Sequence, residues 1–293
     1  MALLLTLLPI LAQIGPFTPP SVGPGPKLPP AAIERQAPRR TAPMATAPMA
    51  TALPPPASTK DAACRDALAS DAVDAQEFAH DALASAKGEE LAELQACLGL
   101  ASSKRDEWDV AETAFLGARD ASGNDQLSRA RYGTMAGNAA LAGQHADRAI
   151  TALNQARDDA KGLDDGVLGG EIAVDRARAF VALQRLYDAR IALDDALVLN
   201  PASSDAWLYS ATLARRMTKL PLAQAHIEKA AELNPVDPAI GLEAGVIAVL
   251  SGRDDTARKS WNSVIAAAPD SAEAAQAKGY LAQIAGSPAA PAK

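Results

Sequence analysis

Residues Ser204–Asp237 read SDAWLYSATLARRMTKLPLAQAHIEKAAELNPVD. The stretch carries a large residue, Trp207, then small residues at Ala211, Ala223 and Ala230, and Pro235 near its end. Pro201 and Pro269 lie at equal intervals on either side of Pro235. Each of the three prolines closes a helical stretch: Ala-Leu-Val-Leu-Asn200-Pro201, Ala-Glu-Leu-Asn234-Pro235 and Ala-Ala-Ala268-Pro269. Proline cannot continue a helix, so a stop that recurs at a fixed interval marks a repeated helical unit.

The spacing resembles the tetratricopeptide repeat, which places a large residue at position 4, small residues at positions 8, 20 and 27, and proline at position 32. Four more units follow from sliding the template. Pro238–Ser271 supplies Gly245, Ala257, Val264 and Pro269, and Gly170–Ser203 supplies Ala177, Ala189, Ala196 and Pro201. Ala130 to about Gly162 supplies Gly137, Ala149 and Ala156, and Ala92 to about Asn124 supplies Gly99, Ala111 and Ala118. Position 24 is then Phe115, Leu153, Leu193, Ile227 or Trp261, a large residue expected in the core of each unit. The physical basis is close approach. Antiparallel helices need side chains without bulk where their backbones meet, and large apolar residues fill the holes beside them. Thr59–Ala86 reads as a degenerate first pair broken near Ser70-Asp71, with Asp71 as a helix cap. Asp270–Ala285 reads as a closing helix.

The resemblance implies an all-α domain over Thr59–Gly286, an α-solenoid of antiparallel helix pairs wound into a right-handed superhelix. Two spacings depart from the template. The intervals from Ala111 to Ala149 and from Ala149 to Ala189 are both longer than the proline interval, which places extra residues within Gly117–Ser128 and Arg157–Gly170. The second insert carries Asp158, Asp159, Asp164 and Asp165, but not at the alternating spacing of a calcium loop. It reads as extended helix ends joined by a loop.

Outside the repeat the composition changes. Of 21 prolines, 13 lie between Gly15 and Ser58, and none between Ala57 and Asn200. Residues 13–58 therefore form an extended Pro/Ala-rich linker, a spacer or a Pro-rich ligand for another domain. Residues 287–293 form a short tail. Ala2–Ala12 is a short apolar run, far below the ~20 residues needed to span a bilayer. It suits the apolar core of a secretory signal cut near Gln13, although no basic residue precedes it. Two localisations follow: export to the periplasm or cell envelope of a bacterium, or a cytoplasmic protein that keeps an apolar terminus.

Composition narrows the function. Alanine supplies much of the 48% hydrophobic content, and aromatics only 4%. That balance favours closely packed helices over a sheet. A net charge of −7 argues against a nucleic-acid partner. Three histidines and two cysteines leave little for a metal centre, and no phosphate-binding, nucleophile-elbow or zinc-protease motif is present. His80, His145 and His226 lie apart in the repeat frame. The expectation is a protein that is not an enzyme, has no cofactor and no membrane span, and binds a protein or peptide.

By resemblance, first-helix positions 2, 5, 9 and 12 line the concave face. The expected groove is Arg131, Asn138, Arg178, Leu208, Arg215, Leu242 and Val246, with Val249 beyond and Arg216 adjacent. Apolar contacts there would supply affinity, and arginines would orient a carboxylate. The alternative is that the valines pack inward and the arginines pair with Glu171, Asp175 or Asp205. Cys64 and Cys97 are close to one repeat apart, so both fall on first helices of adjacent units. They are either bridged, as an oxidising compartment would favour, or two reduced core thiols.

Overall fold

The computed structural model describes residues 58–285. The apolar segment 1–12, the linker apart from Ser58, and the tail 287–293 lie outside the described residues. Among those described there are thirteen helices and no strand. They are α1 Thr59–Ser70, α2 Ala72–Leu83, α3 Gly88–Lys104, α4 Trp108–Ala121, α5 Gln126–Ala142, α6 Ala146–Asp159, α7 Gly166–Ala182, α8 Leu186–Leu199, α9 Ser204–Arg216, α10 Leu220–Leu233, α11 Pro238–Leu250, α12 Asp254–Ala267 and α13 Ala272–Ala285. From α3 onward an odd helix and the next even helix form a hairpin, and the even helix also packs on the odd helix of the following pair. Successive first helices touch from α5 to α13, so the domain is a continuous α-solenoid.

The two ends of each hairpin are built differently. Most first helices start at a side-chain cap. Asp125, Asp165, Ser203 and Asp237 accept hydrogen bonds from the first-turn N–H groups of α5, α7, α9 and α11. Asp71 caps α2 in the same way. Second helices after α2 have no such cap. They follow a three-residue turn whose middle residue is left-handed: Asp106, Gln144, Gln184, Thr218 and Gly252, with φ between 59° and 73°. In every turn the next residue's N–H bonds back to a carbonyl five residues earlier, as from Lys219 to Ala214 (2.8 Å) and from Arg253 to Ala248 (2.9 Å). The turn therefore recurs unchanged although only one of the five central residues is glycine.

The small residues lie where the template puts them in the core. Ala111, Ala118, Ala149, Ala156, Ala189, Ala196, Ala211, Ala223, Ala230 and Ala257 are fully buried. Phe115, Leu153, Leu193, Ile227 and Trp261 are no more than 2% exposed. At position 8 the fit is tighter than alanine allows in three pairs. A Cβ on Gly99 would lie 2.6 Å from the Phe115 ring, one on Gly137 2.5 Å from Leu153, and one on Gly245 2.1 Å from Trp261 Nε1.

The extra residues of the longer units sit mainly in the first helices. α3, α5 and α7 have 17 residues, while α9 and α11 have 13, and every second helix from α4 to α12 has 14. One added helical turn precedes the template's first position in each of the three. At α7 that turn is glycine-rich for a reason of contact. A Cβ on Gly166 would be 2.5 Å from the Leu199 carbonyl oxygen, and one on Gly169 3.3 Å from Leu199 Cδ1. The four aspartates of the insert are dispersed. Asp159 pairs with Arg119 (2.7 Å) and Arg129 (3.1 Å), Asp158 with Lys161 (2.8 Å), and Asp165 caps α7.

Candidate interaction groove

The groove residues stand on α5, α7, α9 and α11. Asn138 of α5, Asp175 and Arg178 of α7 form one network. Asn138 Nδ2 donates to Asp175 Oδ2 (2.7 Å), and Arg178 Nη1 donates to Asp175 Oδ1 (2.6 Å) and more weakly to Asn138 Oδ1 (3.3 Å). The Arg178 side chain is still 42% exposed. Arg215 of α9 reaches across to α11 and makes a two-pronged contact with Glu243, Nε to Oε1 at 2.6 Å and Nη2 to Oε2 at 3.3 Å. Both arginines are thus already held by carboxylates of this chain. The expectation that they stand open to a ligand carboxylate is corrected to that extent.

Arg131 behaves differently. It is half-buried, and its Nε is enclosed without a hydrogen-bond partner among the described residues. Its charge acts on Glu171, one repeat on. Burial pushes the Glu171 carboxyl up to about 7, with the nearby Asp175, Asp165 and Asp205 adding to the rise and Arg131 opposing it. A half-buried carboxyl that titrates near neutrality, beside an under-partnered guanidinium, is an electrostatically unsettled spot.

The apolar wall is narrower than expected. Val246 is 5% exposed and Val249 3%. They belong to the core, because α11 is flanked by both α9 and the closing helix α13. Leu208 and Leu242 are half-buried and keep an outer surface, as does Arg216. Leu208 packs beside Ala211 and Ile227, and the Leu242 carbonyl accepts a hydrogen bond from Trp261 Nε1 (3.1 Å).

The histidines form no constellation. His145 Nε2 lies 3.3 Å from Asp109, and the His226 ring meets Trp207 edge-on with centroids 5.4 Å apart. No cluster of three metal-ligating side chains occurs among the described residues, and no described helix is long and apolar enough to cross a membrane.

The N-terminal end holds a buried polar cluster that was not anticipated from sequence, beside the bridged form of the two cysteines. At the N-terminal end Asp61, only 1% exposed, pairs with Arg65 at 2.6 Å. Burial raises the Asp61 carboxyl. Tyr132 is pushed up to about 12 by its own burial and by Glu93 and Asp61. Beside this cluster Cys64 of α1 and Cys97 of α3 form a disulfide with a Cα–Cα distance of 6.3 Å, and both residues are fully buried. The bridge ties the degenerate first pair to the regular stack.

No protein-family model matches the chain, and no curated protein matches it. Among solved structures it is similar to PilW, a widely conserved type IV pilus biogenesis factor, at 16% identity over 74% of this chain and 96% of that one, with a TM-score of 0.60. It is also similar to PilF of Pseudomonas aeruginosa, at 15% identity over 75% and 96%, with a TM-score of 0.57. A third is a thermophilic TPR protein of Thermus thermophilus, at 18% identity over 66% and 99%, with a TM-score of 0.53. At these identities the likeness is one of fold. The chain has the tetratricopeptide-type α-solenoid.

Proposed function

We propose that the chain is a non-enzymatic scaffold that holds a segment of another protein across the first helices α5 to α11. The observation that carries this reading is that this row of first helices keeps open side chains in line, with Arg178 42% exposed beside the half-buried Leu208 and Leu242. A charged group at an open edge can still make hydrogen bonds to a ligand. The exposed edge of Arg178 would meet acceptors on the partner, with Arg131 beside it. Leu208 and Leu242 would supply apolar contact, and Asn138, Arg215 and Arg216 would border the site. A peptide laid along successive repeats fits such a groove.

The envelope is the compartment this reading favours. Its supports are the apolar segment 1–12 and the buried disulfide, which persists in an oxidising compartment. The likeness to a pilus biogenesis factor is not among them, since a shared fold does not carry a shared function. The test is a crosslinking pull-down from an envelope fraction, with wild type and an Arg131→Gln/Arg178→Glu variant whose melting curve is recorded in parallel. Loss of specific partners by a folded variant supports the groove, and identical partner sets remove it. A reporter fused after Ser58 that stays active only in the cytoplasm would remove the export reading.

A further inference from the structure

The solvent face of α8 differs from that of the other second helices. The second, sixth and thirteenth residues of α4, α6, α8, α10 and α12 are all exposed. On α4 they are Asp109, Thr113 and Asp120, and on α6 Asp147, Thr151 and Asp158. α10 and α12 carry only charged residues, alanine and proline there. On α8 the same three are Tyr187, Ile191 and Val198, exposed to 72%, 52% and 81%. Steps of four and seven residues place them in one stripe along the helix. The opposite face of α8 is the one that packs in the core, through Ala189, Ala192, Leu193 and Ala196. Nothing in the repeat requires large apolar groups at these three positions, and four pairs carry none there.

We infer that this stripe is a self-association surface, on which a second copy of the chain docks with the two α8 helices antiparallel. The occupant is chosen by charge. Within the stripe Asp194 forms an ion pair with Arg190, one turn earlier. A two-fold axis at the level of Ala192 reverses the helix direction. It brings each Arg190 opposite Asp194 of the other copy, on the same flank of the contact. It also sets Tyr187 of one copy at the Val198 end of the other, with the two Ile191 side chains near the axis. A parallel pairing would set Asp194 against Asp194 instead, and like charges at such a contact repel. An isologous contact of this kind is self-complementary by symmetry. The whole chain carries a net charge of −7, so two copies approach against a general repulsion that this local matching offsets. One helix face offers less than the ~800 Å² per partner of a standard interface, so the dimer dissociates on dilution, at roughly micromolar concentration. The surface lies on a second helix, apart from the groove of first-helix residues, and the inference stands whether or not that groove binds a partner.

Sedimentation velocity of the full chain across the micromolar range tests it. Wild type should show a reversible monomer–dimer exchange. Ile191→Glu/Val198→Glu should be monomeric throughout with an unchanged thermal melt, because both sites are exposed. Arg190→Asp and Asp194→Arg should each be monomeric alone, since each makes the contact single-signed. Mixed in equal amounts they should recover the dimer, because both contacts between residues 190 and 194 are then between opposite signs. A wild type that stays monomeric, including one whose stripe takes up a different protein, overturns the proposal. So does a dimer that survives Ile191→Glu/Val198→Glu, or a mixture that fails to associate.

Discussion

Gly245→Ala puts the packing argument at risk most directly. In an exposed helix interior this change would stabilise by about 1 kcal/mol, since alanine is the better helix former. Here the added Cβ would lie 2.1 Å from Trp261 Nε1 and 2.5 Å from two further ring atoms. Trp261 cannot step aside cheaply. It is fully buried, its Nε1 donates to the Leu242 carbonyl at 3.1 Å, and its ring lies against Tyr280 with centroids 5.2 Å apart. Moving it costs the ~1–3 kcal/mol of an overpacked core and about 1 kcal/mol for the hydrogen bond. Set against the propensity gain, the net loss is about 1–3 kcal/mol, or roughly 2–12 °C in melting temperature for a domain of this size. Gly279→Ala is the matched control. Gly279 is the corresponding residue of α13, which has no second helix behind it within the described residues, and a Cβ there meets nothing within 4 Å. It should gain up to ~1 kcal/mol. The assay is thermal unfolding followed by circular dichroism. A Gly245→Ala protein that melts at or above wild type would refute the claim that position 8 is glycine because of the ring it faces.

Other perturbations test other parts of the structure. Thr218→Gly should stabilise by about 1 kcal/mol in denaturant unfolding, because a β-branched residue holds the left-handed turn at φ 59° that glycine occupies readily at Gly252. Glu171→Gln should stabilise by about 1–3 kcal/mol at pH 8. The folded-state pKa near 7 lies above the ordinary value of 4.5, so wild type loses stability as pH rises from 4.5 through 7, and below pH 4.5 the advantage of the variant should vanish. Reducing the Cys64–Cys97 bridge, or replacing both cysteines with alanine, should cost roughly 4 kcal/mol for a loop of this length. In hydrogen exchange the loss should appear first in α1 and α2, since repeats unfold from weakly coupled ends.

What could be read in advance depended on whether a residue's neighbours lie within its own repeat. Ala211, Ala223, Ile227 and Ala230 pack against one another in a single hairpin, so their spacing alone reveals the contact that demands their size. The extra turns of α3, α5 and α7 left no comparable mark. Four residues are close to one full turn, so adding them ahead of a helix leaves every later side chain on its former face. The template therefore fits equally well with or without them, and only the lengthened intervals from Ala111 to Ala149 and from Ala149 to Ala189 betray the turns of α5 and α7. Groove geometry is harder still, because it is settled between repeats. Asp175 can be named beforehand as a partner for Arg178, being one turn away on the same helix. Glu243, which holds Arg215, sits on the next first helix, and its approach depends on how α9 and α11 are set side by side. The burial of Val246 likewise depends on α13, a helix outside its own hairpin. The outer face of α8 marks the limit of reading by repeat. Tyr187, Ile191 and Val198 look like ordinary apolar positions in a helical sequence. They become informative only when the same three positions are seen exposed in five helices and without aromatic or branched apolar residues in four, since a repeat defines what its own surface should be and so makes the departure visible.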